Sequence, residues 1–254
     1  MIEYGLVGKK LGHSFSKNFF TEKFRTENID ASYSNFEMQS VEDPEKGLLS
    51  TILGHPELRG LNVTIPFKKD VLPFLDSIDP LAAEIGAVNT IRINRDTDGL
   101  HLCGFNTDII GFTDSIRPLL KPNMPKKALI LGTGGASLAI CVGMRRLGFE
   151  VVIVSRRNSD NNITYADLNG EPSILREYGV IVNCTPLGMW PDIDSAPDIP
   201  YSQLTSHHLL YDLVYNPDPT EFMKRGQSLG AQVCSGRAML IGQALASWQI
   251  WNQN

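Results

Sequence analysis

Residues 128–148 read ALILGTGGASLAICVGMRRLG, a short apolar run that is followed by a glycine turn and then by a helical pattern. The run from Ala128 to Leu131 is typical of a buried strand, and Gly148 is placed to end the helix. Glycines between a strand and a helix let the backbone approach a pyrophosphate, which then meets the positive end of the helix. Because this strand–turn–helix context is the one that the motif requires, the stretch predicts a dinucleotide-binding α/β fold.

The strand that comes next indicates which dinucleotide would bind. An NAD site places an acidic residue at the end of this strand, where it accepts a hydrogen bond from the ribose 2′-hydroxyl. Here the strand from Phe149 ends in Ser155-Arg156-Arg157. Two guanidinium groups suit a 2′-phosphate, and no carboxylate is present to repel it. The pattern therefore favours NADP, and the alternative is a solvated arginine pair at the end of a strand.

Further apolar runs and helical patterns alternate on both sides of this stretch. Strands are predicted over Tyr4–Val7, Ser32–Glu37, Gly60–Thr64, Val180–Cys184 and Leu209–Val214, with a hairpin formed by Val88–Asn94 and Leu100–Gly104. Helices are predicted to begin at Ser16, to run from about Phe67 to Leu75 after Pro66, from Asn106 to Leu120, and, as one amphipathic helix, from Ala238 to Trp251.

This alternation predicts the α/β class, with two domains that are joined near residue 104. The expected ranges are 1–103 plus 238–254 for an N-terminal α/β domain, and 104–237 for a Rossmann-like domain with a doubly wound parallel sheet. Ligands of such folds bind at the carboxyl ends of the strands. The loops at those ends are therefore the places to look for a site.

Composition excludes several classes of function. The chain has 254 residues, of which 42% are hydrophobic, and its 23 basic and 28 acidic residues give a formal net charge of −5, which argues against a nucleic-acid surface. We expect no signal peptide, and the sequence has no apolar run of the roughly 20 residues that a membrane helix needs. The four cysteines are widely spaced, which favours buried free thiols over a metal site. We therefore expect a cytoplasmic protein with no bound metal. We also expect a small-molecule substrate, and the sequence leaves open whether the protein is a monomer or homodimer.

Polar side chains lie at predicted loops of the first domain, in the segments His13 to Ser16, Asn62 to Lys68, Gly86 to Thr90 and Gly104 to Asp108. The hydroxyls of Ser14 and Ser16, with the amides of the helix they precede, are placed to hold a carboxylate. Each segment also has a structural interpretation. Ser16 alone is typical of a helix N-cap, and Lys68 alone is typical of a solvated residue, as we expect Lys69 to be.

Taken together and in order, these segments resemble the shikimate dehydrogenase family. The resemblance continues through Gly132 to Ser137, Asn183 to Met189, Asp212 to Tyr215 and Gly236 to Gln243, and thus covers nearly the whole chain. It implies reduction of 3-dehydroshikimate to shikimate by NADPH, with the substrate held by the N-terminal domain. A relative acting on quinate or an aminated analogue remains an alternative within enzymes. Outside enzymes, an NADP-sensing regulator is the alternative, although it would be expected to lose the catalytic residues.

The resemblance also assigns roles to individual positions. Lys68 and Asp108 would form the catalytic pair, and the substrate would contact Ser14, Ser16, Thr64, Lys68, Asn89, Asp108, Tyr215 and Gln243. NADP would contact Gly132, Thr133, Gly134, Gly135, Ala136, Ser137, Ser155, Arg156, Arg157, Thr185, Leu213 and Gly236. Two of these positions have other interpretations, since Tyr215 is also typical of an interface aromatic and Gln243 of a solvent-facing helix residue.

The chain departs from the family pattern at several positions. Lys17 stands where the family usually has proline, and Ser155-Arg156-Arg157 replaces the common Asn-Arg-Thr. Phe105 and Ile109 also differ from the usual residues around Asp108. None of these departures affects the predicted catalytic pair.

Overall fold

The computed structural model describes residues 1–12, 14–158 and 162–253, and within them the chain forms two compact units. Unit 1 consists of Met1–Thr107 with Ala244–Asn254, and unit 2 is Asp108–Gln243. The predicted boundaries, after residues 103 and 237, lie a few residues before these. His13, which begins one of the predicted site segments, lies outside the described residues.

Unit 1 is built on a six-stranded mixed sheet in the order β2-β1-β3-β5-β6-β4. Strand β1 is parallel to β2 and β3, whereas β5 is antiparallel to both β3 and β6. The elements are β1 (Ile2–Gly8), α1 (Phe15–Thr26), β2 (Ala31–Glu37), α2 (Leu48–Gly54), β3 (Leu58–Val63), β4 (Ser77–Ile78), α3 (Pro80–Ile85), β5 (Thr90–Asp96) and β6 (Gly99–Phe105). The predicted hairpin is confirmed, since β5 and β6 pair from Thr90↔Phe105 to Asp96↔Gly99.

The predicted helix from Phe67 to Leu75 is wrong. Residues 65–71 form successive turns, and only a short 3₁₀ helix, Leu72–Phe74, follows them. Pro73 explains why no α-helix continues here, because a proline has no backbone N–H to donate and its ring crowds the carbonyl group four residues earlier. Lys68 therefore lies in a turn and not at the positive end of a helix.

The interior of unit 1 has an apolar and an aromatic part. The apolar part packs side chains of the central strands, among them Val7, Leu61 and Ile91. In the aromatic part, Trp251 stacks on Tyr4 at 4.8 Å between ring centroids, and the Trp251 indole N–H donates to the Ile91 carbonyl oxygen at 3.0 Å. These contacts fix the end of the terminal helix against the sheet of unit 1.

Unit 2 contains a six-stranded, wholly parallel sheet in the order β12-β11-β10-β7-β8-β9. This order confirms the predicted doubly wound domain. The elements are α4 (Asp108–Ile116), β7 (Lys127–Leu131), α5 (Gly135–Arg146), β8 (Glu150–Ser155), β9 (Asn162–Thr164), α6 (Tyr165–Gly170), β10 (Val180–Asn183), β11 (Leu209–Asp212), α7 (Glu221–Ser228), β12 (Gln232–Ser235) and the first part of α8 (Arg237–Trp251). The residues of α8 from Ala244 onward belong to unit 1.

Two predicted helices of this part differ from the structure. The helix predicted to reach Leu120 ends at Ile116 and continues as a 3₁₀ helix, Arg117–Leu119, because Pro118 cannot donate within an α-helix. Helix α8 is a single helix as predicted, but it is not amphipathic. Of its residues only Arg237, Ala238, Leu245 and Gln249 are exposed, so it is buried around most of its circumference.

The described residues answer two further questions about the fold. Of the four cysteines, which form no disulfide, Cys141 is buried and the other three are only partly buried, so the expectation of buried thiols holds for one of them. No described helix is both long enough and apolar enough to cross a membrane.

Candidate active site

The order of the unit 2 sheet brings four predicted cofactor positions to one edge. Strands β12, β11, β10 and β7 are consecutive neighbours, and all four run in the same direction. Their carboxyl ends are therefore followed by loops at the same edge, which we call the cofactor edge. It carries Gly236, Leu213, Thr185 and Gly132 in that order across the sheet.

The glycine turn at this edge leaves the start of helix α5 open. Gly132 has a φ of +105°, a conformation that favours glycine, and its N–H donates to the Val154 carbonyl oxygen at 2.9 Å. Gly134 is the N-cap of α5, and a Cβ added there would meet no heavy atom within 4 Å among the described residues. No described side chain caps this helix start. A helix start without a capping side chain is the kind of site that binds a phosphate.

Ser137 supports this turn from inside the unit. Its side chain is buried, with 2% exposed, and its hydroxyl donates to the Gly134 carbonyl oxygen at 2.6 Å. The backbone N–H of Ser137 donates to the same oxygen at 3.0 Å. Gly135 and Ala136 form the first turn between these two residues, while Thr133 and Gly134 are exposed. Ser137 thus holds the loop in shape and does not itself face outward.

The Ser155-Arg156-Arg157 segment forms a tight turn beside the glycine turn. Strand β8, which ends at Ser155, is the neighbour of β7. The Ser155 hydroxyl donates to the Arg157 carbonyl oxygen at 2.7 Å and accepts from the Arg157 N–H at 3.0 Å. Arg156 and Arg157 are exposed and form no ion pair with a described carboxylate. Both arginines are thus exposed at the end of the strand next to β7.

Buried side-chain hydrogen bonds connect the loops that follow β10 and β11. The Asn183 amide nitrogen donates to Asp212 Oδ1 at 2.9 Å, and Thr185 donates from its N–H and its hydroxyl to Asn183 Oδ1, at 3.0 and 2.6 Å. Thr220 donates to Asp212 Oδ2 at 2.6 Å. Burial raises the pKa of the Asp212 carboxyl to about 6, although these donors act in the opposite direction. Thr185 is therefore held by an amide–carboxyl pair that has no solvent exposure.

The remaining positions at this edge differ in exposure. A Cβ on Gly236 would overlap the Leu213 carbonyl oxygen, so the loops after β11 and β12 approach each other more closely than a side chain allows. Tyr215 has 37% of its surface exposed, and partial burial raises the pKa of its hydroxyl. No role was predicted from the sequence for Asn183, Asp212 or Thr220. The signal that could have identified Asn183 and Asp212 is that polar residues end two successive strands.

In unit 1, the start of helix α1 differs from the cap that Ser16 alone would indicate. Ser14 is the N-cap, and its hydroxyl accepts from the Lys17 N–H at 3.1 Å. A proline at this position has no N–H, so the departure from the family pattern at Lys17 supplies the capping donor. The hydroxyl of Ser16 instead forms a hydrogen bond with that of Tyr33, which is buried. Burial raises the pKa of Tyr33, and the phenol remains protonated.

The two lysines of the 65–71 turns have different surroundings. Lys68 is half-buried, and its carbonyl oxygen accepts from the Val88 N–H at 2.8 Å, whereas Lys69 is exposed. The Thr64 N–H donates to the Val7 carbonyl oxygen at 2.9 Å. The backbone of Lys68 is thus hydrogen-bonded to the segment that contains Asn89. The exposed Lys69 is a suitable control for substitutions of Lys68.

Asp108 and Gln243 are the first and last residues of unit 2. Asp108 is the first residue of α4 and has 6% of its surface exposed. Gln243 has 8% exposed, so the alternative of a solvent-facing residue is wrong. Lys68 belongs to unit 1, and Asp108 belongs to unit 2.

A buried polar network surrounds Asn89 in unit 1. Of its members, only Asn89 was predicted to have a role. It consists of Tyr33, Asn62, Asn89, Thr90, Thr107 and Ser247, all with at most 5% of their surface exposed. Asn62 lies directly opposite Thr90 in the antiparallel pairing of β3 and β5. Asn62, Thr90 and Thr107 are within quoted segments, but no local pattern connects them with Ser247, which comes from the terminal helix.

Comparison with known proteins agrees with this arrangement. The family model described as the shikimate dehydrogenase substrate binding domain matches residues 6–91. A shikimate dehydrogenase (NADP(+)) of Clostridium beijerinckii is 34% identical, over 98% of this chain and 92% of that protein. The crystal structure of shikimate dehydrogenase 1 from Peptoclostridium difficile, 34% identical, has a TM-score of 0.82 and covers 99% of this chain and 91% of its own.

A second structure was determined with ligands. Shikimate 5-dehydrogenase from Thermus thermophilus, in complex with NADP(H) and shikimate, is 28% identical with a TM-score of 0.80, covering 99% of this chain and 94% of its own. The relatives match over both units and nearly their entire length. The chain belongs to the shikimate dehydrogenase family.

Proposed function

We propose that this protein is an NADP-dependent shikimate dehydrogenase that catalyses the reversible reduction of 3-dehydroshikimate to shikimate. The observation that carries the proposal is the presence of both Lys68 and Asp108 in a chain that matches shikimate dehydrogenases over both units. A family member that only senses the nucleotide would not need this pair. Residues 1–103 with 238–254 would bind the substrate, and residues 104–237 would bind NADP.

The residues of the cofactor edge fit NADP. The open start of α5 suits a pyrophosphate, since a Cβ on Gly134 would meet no described atom within 4 Å. Arg156 and Arg157 would hold the 2′-phosphate through charge-assisted hydrogen bonds. Thr185, Leu213 and Gly236 would line the nicotinamide side. When bound, NADPH supplies the hydride, and the remaining chemistry belongs to the side chains of the protein.

In unit 1, Ser14 and Ser16 would bind the substrate carboxylate. Thr64, Asn89, Tyr215 and Gln243 would contact the ring hydroxyls and thereby fix which face of the ring is presented. Reduction of a ketone leaves a developing alkoxide that needs a positive charge or a proton. The Lys68 ammonium would provide both, and the Asp108 carboxylate would orient that ammonium and the reacting hydroxyl.

The experiment that tests this proposal is the NADP-linked oxidation of shikimate by the purified protein. We expect the absorbance of the reduced nicotinamide to increase with shikimate and NADP, and to increase much less with shikimate and NAD. Quinate and an aminated analogue of shikimate complete the substrate panel. Faster turnover of quinate than of shikimate would assign the chain to the alternative activity, and binding of NADP without any turnover would favour the nucleotide-sensing regulator.

A further inference from the structure

Three buried hydroxyl groups of unit 1 lie within hydrogen-bonding distance of one another. They belong to Thr90, Thr107 and Ser247, each with 0% of its surface exposed, and we call them the hydroxyl cluster. The oxygen of Thr90 lies 3.2 Å from that of Thr107 and 2.8 Å from that of Ser247, and the last two are 3.1 Å apart. Since each hydroxyl has a single proton, the three must orient together.

The cluster holds the side-chain amide of Asn89 in one orientation. The Thr107 N–H donates to Asn89 Oδ1 at 2.7 Å, which identifies that atom as the oxygen because an N–H group cannot accept. Asn89 Nδ2 in turn donates to Thr107 Oγ1 at 3.0 Å, and Thr90 Oγ1 donates to Asn89 Oδ1 at 3.1 Å. The orientation of Asn89 is therefore determined by two members of the cluster.

The same cluster reaches the start of helix α1 through two further side chains. Asn62 Nδ2 donates to Ser247 Oγ at 2.9 Å and to Thr90 Oγ1 at 3.3 Å. The Tyr33 hydroxyl donates to Asn62 Oδ1 at 2.8 Å and is also hydrogen-bonded to Ser16. A continuous path of neutral groups thus joins Ser16 to Asn89.

We propose that the hydroxyl cluster is a positioning device that sets Asn89 and, through Asn62 and Tyr33, Ser16 at the spacing that the substrate requires. The inference rests on the proposed function, in which Ser16 binds the carboxylate and Asn89 a ring hydroxyl. Positioning by buried neutral groups is effective because a misoriented amide would leave a buried polar atom without its hydrogen-bond partner. Thr90, Thr107 and Ser247 act through their neighbours and do not touch the substrate.

The first test uses two variants of Thr90 that separate positioning from stability. Thr90→Val keeps the shape and removes the hydroxyl, whereas Thr90→Ser keeps the hydroxyl and loses a buried methyl group. We expect Thr90→Val to raise the KM for shikimate about tenfold, which corresponds to about 1.4 kcal/mol, with the KM for NADP unchanged within about twofold. Thr90→Ser should restore the KM for shikimate although its Tm falls. A purely structural role predicts that KM is normal in both folded variants.

The matched control is Tyr211→Phe in unit 2. It removes a buried hydroxyl, that of Tyr211, which lies 2.7 Å from the oxygen of Ser115, and Tyr211 has no place in the proposed site. Its KM for shikimate should be unchanged. Ser247→Ala is the second variant of the cluster should Thr90→Val fail to fold, and it removes a hydroxyl from a different element.

A double-mutant cycle with Asn89→Ala decides whether the cluster acts through Asn89. If it does, Thr90→Val or Ser247→Ala should raise the KM for shikimate far less in the Asn89→Ala background than in the wild type. Fully additive changes, or an unchanged KM in folded Thr90→Val and Ser247→Ala, would overturn the inference while the wild type still oxidised shikimate. Absence of shikimate oxidation by the wild type would instead overturn the proposed function, and the inference with it.

Discussion

The cofactor edge of unit 2 and the polar network of unit 1 are built in opposite ways. The cofactor edge offers backbone N–H groups at an open helix start and two exposed guanidinium groups. The polar network offers neutral side chains that are already bonded to one another and are at least 95% buried. One region is open and charged, and the other is closed and neutral.

This contrast corresponds to the two ligands. A dinucleotide has a highly charged phosphate backbone, which exposed arginines and a helix start bind over a broad surface. A ring with several hydroxyls and one carboxylate requires donors and acceptors at defined spacings, and a bonded network supplies such spacings. Loss of a charge should therefore change the choice of cofactor, whereas loss of a buried hydroxyl should change the fit of the substrate.

The largest effect should come from replacing Lys68, which would supply both the positive charge and the proton for the alkoxide. Lys68→Ala should lower kcat by about a hundredfold or more, as expected for lost acid–base and electrostatic help. Its KM should change far less, because the interaction strengthens mainly in the transition state. Steady-state kinetics of Lys69→Ala, the exposed neighbour, provide the control and should be close to normal. A folded Lys68→Ala variant with near-normal kcat would remove this residue from the mechanism.

The next effect concerns the exposed arginines that follow β8. Arg156→Ala should reduce the preference for NADP over NAD in kcat/KM by roughly ten- to a hundredfold, since a charge-assisted hydrogen bond contributes about 1.5–3 kcal/mol. The KM for shikimate should be unchanged. Comparison of kcat/KM with both cofactors measures this effect, and equal use of the two by the wild type would contradict it.

A third prediction concerns Asp212, the last residue of β11, whose carboxyl group has a raised pKa. The pKa of Asp212 is raised by burial to about 6 from an ordinary value of 3.8, so between these values the folded state retains a proton that the unfolded state releases. Stability from this group is present below about pH 4 and is lost as the pH rises through 6, by roughly 2–3 kcal/mol.

Denaturant unfolding at several pH values between 4 and 7 measures this contribution. The wild type should lose stability relative to Asp212→Asn over that range, because the variant has no titrating group at this position. Thr90→Val is the matched comparison from unit 1. It removes no titratable group, so its stability should parallel that of the wild type. Parallel curves for wild type and Asp212→Asn would show that Asp212 has the same pKa in the folded and the unfolded state, and would contradict the prediction.

The smallest effects are expected at the start of helix α1. Ser14→Ala should cost about 1 kcal/mol of stability through the lost cap, whereas Ser16→Ala removes no cap, because Ser14 and not Ser16 accepts from Lys17. Both should raise the KM for shikimate and leave that for NADP nearly unchanged. Thermal unfolding and steady-state kinetics of the two variants separate the effects. An unchanged KM for shikimate in the folded double variant would exclude these hydroxyls from carboxylate binding.

The two regions also differ in how well the sequence predicts them. The glycine turn and the Ser155–Arg157 segment are contiguous, so the local order of residues is sufficient to predict strand, turn and helix there. The hydroxyl cluster joins Thr90 to Ser247 across 157 positions of the chain, and only the fold brings them together. The helix predicted after Pro66 failed at Pro73, where the missing N–H outweighed the helical pattern of apolar residues.

Hydrogen–deuterium exchange with each ligand alone tests the division between the two regions most directly. NADP alone should slow the exchange of backbone amides in residues 132–137 and 155–157, because phosphates accept from these N–H groups. Shikimate alone should slow exchange in residues 14–17, 62–68 and 86–90, and leave residues 132–137 unchanged. Protection of the unit 1 segments by NADP alone, with no change at residues 132–137, would contradict the account.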